Sequence, residues 1–155
     1  TFYSWVDLGS SYVIGDVLAA FIYAQLEHLD NINSHRREIY SCYQNRLLGL
    51  RGKGVLSYPD RPDLEDSTAH LFFILLENEE KRKGLQNYLK DQGINAVFHY
   101  QPLHNSSYAE KTWGVSEELP VTESITKRLL RLPMFNTLKL NEAQEIGEII
   151  HNYYK

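Results

Sequence analysis

The chain has one cysteine, Cys42, in 155 residues. That excludes an internal disulfide framework and makes a reducing compartment, the cytoplasm, the expected setting. No apolar run approaches the roughly 18 residues that a membrane span requires, and no signal-peptide pattern is present. A basic footprint is missing as well. The formal charge is −4 and the 16 Lys and Arg are spread along the chain, with only short clusters such as Lys81-Arg82-Lys83, so nucleic acid is not an expected partner. The G-x-S-x-G elbow, the P-loop and the G-x-G-x-x-G fingerprint do not occur. Metal-ligand spacing is lacking too, because no Asp or Glu shares the short segment of His99 and His104, and Cys42 is far from both in sequence. Internal repeats and low-complexity tracts are absent. The first residue is Thr1 rather than Met, within strand-like sequence, and this predicts that something upstream has been removed.

What is present is enough for one domain with a real core: 43% of residues are apolar and 23% charged. From Asp16 to about Leu50, the residues Leu18, Ile22, Leu26, Leu29, Ile32, Ile39, Tyr43 and Leu47 recur at spacings of three, four or seven. The pattern predicts one long amphipathic helix, bent in the middle, that is apolar nearly all round in its first two turns. At about 1.5 Å per residue it would span about 50 Å, the length of a helix that bridges two domains or two subunits.

Beyond Arg51 the pattern shortens. Strands are predicted near 55–59, at 69–76 where the apolar run is unbroken, and at 94–100. Between the last two, Asn78 is placed to cap a helix with Glu79 and Glu80 in its first turn, Leu85, Tyr88 and Leu89 on one face, and Gly93 as its stop. A long irregular segment covers 101–120. One helix is predicted over 122–131 and another from about Asn141 to Tyr153. The expected architecture is α+β: a long linking helix, then a small sheet covered by helices. The expected division is 1–50 for the loop and linking helix and 51–155 for the small domain.

Two places carry chemical interest. The first is Gly9-Ser10-Ser11-Tyr12, a loop of small polar residues feeding a helix start. Such a loop either holds an anion, through free backbone N–H groups and the helix dipole, or simply turns. The second is 99–104, where His99 and His104 end a buried strand and enter a loop. They are either ordinary loop histidines or groups facing a site. Tyr12, Tyr100 and Tyr108 stand beside these loops and either line a pocket or pack beneath it. His28 and His35, seven apart on the long helix, read as surface residues. The pairs Glu79-Glu80 and Glu117-Glu118 read as helix-start or solvated charges.

Taken in order, the stretches 7–36, 69–76, 93–104, 106–108 and 119–135 resemble the C-terminal part of the DegT/StrS-type sugar aminotransferases. The resemblance implies the small-domain fold of fold-type I aminotransferases, pyridoxal 5'-phosphate as cofactor, a nucleotide-linked keto sugar and glutamate as substrates, and a homodimer. It also implies a role in surface polysaccharides such as O-antigens. Most of that family has G-x-N-Y-R where this chain has Gly9-Ser10-Ser11-Tyr12-Val13, and the group that makes 4-amino-4,6-dideoxygalactose is similar to this chain in having serine. By resemblance Ser11, with Gly9 and Ser10, reaches the cofactor phosphate of the partner subunit, and the helix beginning near Asp16 adds its dipole. The family's arginine falls on Val13. His99 matches the strand-end histidine beside the sugar, followed by Tyr100 and His104. In the family the Schiff-base lysine, the aspartate at the pyridine nitrogen and the stacking aromatic come from an N-terminal large domain. No lysine here has that context, so the chain is expected to hold no catalytic residue of its own. The alternative is a free-standing α+β interaction module that catalyses nothing.

Overall fold

The computed structural model describes residues 12–60, 63–114 and 118–155. The chain forms two compact units, 1–31 and 32–155. The sequence pattern places a division at 50/51. The observed boundary lies earlier because the helix expected to link already supplies five buried residues to the core of the second unit: Ile39, Tyr40, Tyr43, Leu47 and Leu50.

In the first unit, α1 (Asp16–Leu26) starts at Gly15, whose backbone is extended. None of its residues is buried. Val17 is 88% exposed and Phe21 64%, as expected of a stretch that is apolar on more than one face. The single long helix is corrected to two, because the ladder breaks at Glu27 and His28. There His28 N–H donates to Gln25 O, three residues back instead of four (3.1 Å). The second helix, α2 (Leu29–Gly52), begins in this unit and continues into the next.

The second unit is built on a three-stranded antiparallel sheet in the order β1 (Leu56–Ser57), β2 (Phe72–Leu76), β3 (Leu129–Leu132). Phe72 pairs with Leu132 and Ile74 with Leu130, and directly opposed residues share a face. That face is sealed. It joins Ile39, Tyr43 and Leu47 of α2, Leu85 and Leu89 of α3 (Glu79–Asp91), and Ala143 and Ile150 of α6 (Leu140–Tyr153) in one core. Phe72 is its centre, with the rings of Tyr40, Tyr43 and Tyr58 at 4.8, 5.1 and 5.7 Å. The buried hydroxyls of Tyr43 and Tyr58 donate to the carbonyls of Pro133 and Gln44, both at 2.9 Å. Burial raises the Tyr43 pKa, so this phenol stays a donor.

Local signals hold where they were strongest. Asn78 Oδ1 accepts from Lys81 N–H at 2.9 Å, and Gly93 leaves α3 at φ +77°. Gly147 on α6 lets α2 come close, since a Cβ there would lie 2.8 Å from Arg46 Cβ. Two expectations fail. The third strand is not 94–100 but 129–132, within the segment expected to be helical; the helix there, α5 (Pro120–Arg128), stops at Leu129. In 94–100 only Val97 pairs, with Arg131. The Ala96 N–H turns back to Ile94 O (3.2 Å), which leaves too little extended chain for a ladder. The irregular segment also contains a short helix, α4 (Ser107–Trp113), capped by Ser106. No helix among the described residues is long and apolar enough to cross a membrane.

Candidate functional site

The outer face of the sheet differs from the inner one. Phe73 is paired with Arg131 and Leu75 with Leu129, so these four side chains share the face that α2, α3 and α6 leave uncovered. Leu129 is buried but lies outside the main core, and the other three are half-buried. The strand pattern L-L-R-L lifts Arg131 to this face while Leu130 and Leu132 point inward.

His99 arrives here because the chain before it is tied down at successive residues. Ala96 is buried and its carbonyl accepts from Gln86 Nε2 at 3.0 Å. Val97 exchanges both backbone bonds with Arg131 (3.2 and 2.8 Å). The Phe98 ring lies under the Arg82 guanidinium, 5.7 Å from ring centre to charge. Arg82 is itself fixed by Gln86 Oε1 (2.6 Å) and by the Lys127 carbonyl (3.3 Å). Gln86, Arg82 and Arg131 therefore set the approach of the 99–100 segment.

Beyond these ties, the His99 and Tyr100 rings meet edge to face at 4.2 Å. Arg131 Nη1 donates to the Tyr100 hydroxyl at 3.4 Å, and its buried Nε has no partner. The His99 pKa is lowered, first by desolvation and then by the positive charge of Arg131 and by His70. His70 belongs to the turn before β2, with Nδ1 3.2 Å from Thr68 Oγ1. The cluster thus gathers two imidazoles, a phenol and a guanidinium. No described carboxylate lies within 4.0 Å of Arg131. Near neutral pH such a set offers a neutral imidazole for hydrogen bonding and a fixed positive charge.

The structure brings His99 and Tyr100 together and gives His104 a separate partner. His104 Nε2 donates to Glu123 Oε1 of α5 at 3.4 Å, tying the loop turn at 103–105 to that helix. Tyr108 stacks edge to face with Trp113 at 6.0 Å, and Tyr12 is 92% exposed. His35 donates to the Leu138 carbonyl at 2.8 Å, an ordinary structural role. Gly9, Ser10 and Ser11 lie outside the described residues. In the first turn of α1, Asp16 sets a carboxylate against the positive end of the helix that was expected to assist an anion. Sequence reasoning missed Arg131 and His70. The visible signal for Arg131 was the alternation of Leu130, Arg131 and Leu132, which the helical reading of the segment hid.

A concavity of about 850 Å³ lies elsewhere, lined by residues including Arg37, Cys42, Asp63, Glu65 and Gln144, and contains neither His99 nor Arg131. Its lining mixes charges of both signs with polar and apolar residues, and none of them has a buried polar atom without a partner, whereas Arg131 on the sheet face does. We therefore place the candidate site on the sheet face. Among the described residues no group of three or more His, Cys, Asp or Glu is arranged to hold a metal ion.

The fold is that of aminotransferases. The chain superposes on a DegT DnrJ EryC1 StrS aminotransferase from Brucella abortus with a TM-score of 0.82 and 30% identity, over 99% of this chain and 39% of that one. It also superposes on DesV of S. venezuelae, solved in complex with a ketimine intermediate, with a TM-score of 0.86 and 26% identity over 100% of this chain and 40% of that one. Residues 1–151 match the DegT/DnrJ/EryC1/StrS aminotransferase family, and the chain belongs to it. Pyridoxal phosphate is the cofactor of that family. Among curated proteins, the dTDP-3-amino-3,6-dideoxy-alpha-D-galactopyranose transaminase of Aneurinibacillus thermoaerophilus is 24% identical over 140 residues, 90% of this chain and 36% of that protein. The chain thus spans well under half the length of these relatives.

Pyridoxal chemistry needs a lysine that forms an imine and a partner for the ring nitrogen. All eight lysines, Lys53, Lys81, Lys83, Lys90, Lys111, Lys127, Lys139 and Lys155, are exposed. The described residues therefore do not fit the reacting end of the cofactor, and no chemical step is derived from them.

Proposed function

We propose that this chain is the C-terminal portion of a longer aminotransferase that moves an amino group from glutamate to a nucleotide-linked 4-keto-6-deoxy sugar. The specific reaction is dTDP-4-keto-6-deoxyglucose to dTDP-4-amino-4,6-dideoxygalactose, in the cytoplasm, for surface polysaccharide. The observation that carries the reading is the family match over residues 1–151. Amination at C4 rests on the Gly9-Ser10-Ser11-Tyr12 loop; the curated relative named above is a 3-amino transaminase. The N-terminal large domain supplies the lysine. This chain supplies the substrate side, with His99 and Tyr100 beside the sugar and His104 bracing the loop that carries them. Gly9, Ser10 and Ser11 hold the cofactor phosphate of the partner in a homodimer.

The test is amination of dTDP-4-keto-6-deoxyglucose by the full-length protein with glutamate, with the product's amino position read by NMR. A 4-amino product is expected; a 3-amino product or none overturns the specific reaction. For the dimer contact, mixing a lysine-less variant with Ser11→Ala should restore activity in heterodimers, and no recovery despite subunit exchange would overturn it. The alternative, a free-standing module without catalysis, draws on the eight exposed lysines. An upstream reading frame with a lysine in a pyridoxal-binding context removes that alternative.

A further inference from the structure

Arg131 has an environment that its role in the sheet does not explain. It occupies the outer face of β3, half-buried, opposite Phe73. Its Nε is buried with no hydrogen-bond partner, and its described side-chain hydrogen bond is a long one, 3.4 Å, to the Tyr100 hydroxyl. A guanidinium presents five donors in a fixed fork, and leaving a buried one unmade costs more than an ordinary hydrogen bond contributes.

Other arginines of the unit are better satisfied. Arg51 forms a two-pronged pair with Asp60, Arg46 pairs with Glu148, and Arg128 donates to the Leu76 carbonyl at 2.7 Å. Around Arg131 are Tyr100, which takes its hydrogen bond, and His99, on whose imidazole its charge acts, and no described carboxylate lies within 4.0 Å of it. Two chain segments, β3 and the 97–100 stretch, thus meet at a positive charge with a buried free donor and no described anionic partner.

We propose that Arg131 is an anion-binding residue, its guanidinium taking a carboxylate or phosphate oxyanion of a substrate beside His99. The identity of the anion rests on the aminotransferase reading, under which it is either the carboxylate of the amino donor or the diphosphate of the nucleotide sugar. The planar fork matches either oxyanion with paired hydrogen bonds. No bond is made or broken at this residue. It binds and orients, and the neutral His99 imidazole beside it remains available to the neighbouring substrate hydroxyls.

The test uses the full-length enzyme and two probes at equilibrium by calorimetry, dTDP for the diphosphate and 2-oxoglutarate for the donor carboxylates, with wild type, Arg131→Gln and Arg131→Lys. Arg131→Gln should weaken one probe about 10- to 100-fold, the scale of one hydrogen bond to a charged group, and leave the other within about twofold. The probe that weakens names the anion. Arg131→Lys should recover part of the loss, because it keeps the charge without the fork. Unchanged affinity for both probes in Arg131→Gln overturns the proposal. So does an equal loss of both with a lowered melting temperature, which marks a structural arginine. Because binding is read without turnover, failure of the wild type to aminate a keto sugar would overturn the functional reading and leave the anion result standing.

Discussion

The two faces of the three-stranded sheet are made from the same short strands and face opposite demands. On the inner face Phe72, Ile74, Leu130 and Leu132 meet three helices and are removed from water. On the outer face Phe73, Leu75 and Arg131 stay half-buried, with the 97–100 segment laid along the edge. The inner face is satisfied by packing within this chain. The outer one keeps an unpartnered donor and a cluster of titratable groups, as a surface completed by something else does. A fold whose stability comes from one side of its sheet is free to vary the other for binding.

The largest expected difference between the faces is in stability. Phe72→Ala removes a fully buried ring from contact with three tyrosines and should cost about 3–5 kcal/mol by denaturant unfolding. Leu75→Ala, one strand residue away from Ile74 on the other face, should cost about 1–2 kcal/mol, less than Phe72→Ala, since the smaller side chain is only partly buried. Equal costs would mean that the outer face is also a core. The inner side is sharpened next by Gly147→Ala, which forces a Cβ against Arg46 where the backbones approach. The expected loss is about 1–2 kcal/mol, the overpacking penalty offset in part by the helix preference of alanine. Asn78→Ala, at the start of α3, should cost about 1 kcal/mol by the same assay, because only the Lys81 N–H loses its acceptor.

The smallest effect belongs to the outer face. The folded pKa of His99 is depressed, so the folded state binds fewer protons than the unfolded state as the imidazole titrates. Its contribution is therefore fully present above the ordinary imidazole pKa and is lost as pH falls through the lower folded value. The melting temperature of wild type should drop more between pH 7.5 and pH 5.5 than that of His99→Gln. An identical drop in both would show that the His99 environment does not differ between the folded and unfolded states.

Much of this was legible in the chain. Asn78, Gly93 and the run 69–76 pointed to α3 and to β2, which occupies Phe72–Leu76, because caps and unbroken apolar runs are local signals. The third strand was not. Ile125, Leu129 and Leu132 fit a helix by their spacing, and the choice of strand is made by β2, which pairs Phe72 through Leu75 with residues more than 50 positions away. The same misreading hid Arg131. The segment 94–100, read as a strand from its composition, has only Val97 in register. His99 was marked by its position at the end of an apolar run and by resemblance, but its neighbours His70 and Arg131 come from distant segments and become neighbours only when the sheet forms.

The claim that the outer face is the substrate side is tested most directly by the titration of the His99 imidazole in the full-length enzyme, followed by NMR with saturating dTDP-4-keto-6-deoxyglucose, with saturating 2-oxoglutarate, and with neither. Arg131 is among the charges that hold this pKa down. An anion bound to Arg131 cancels that charge, so the midpoint should rise with whichever of the two ligands carries the anion. A midpoint and chemical shift unchanged by both ligands would contradict the account, because they would place sugar nucleotide and amino donor alike away from this face of the sheet.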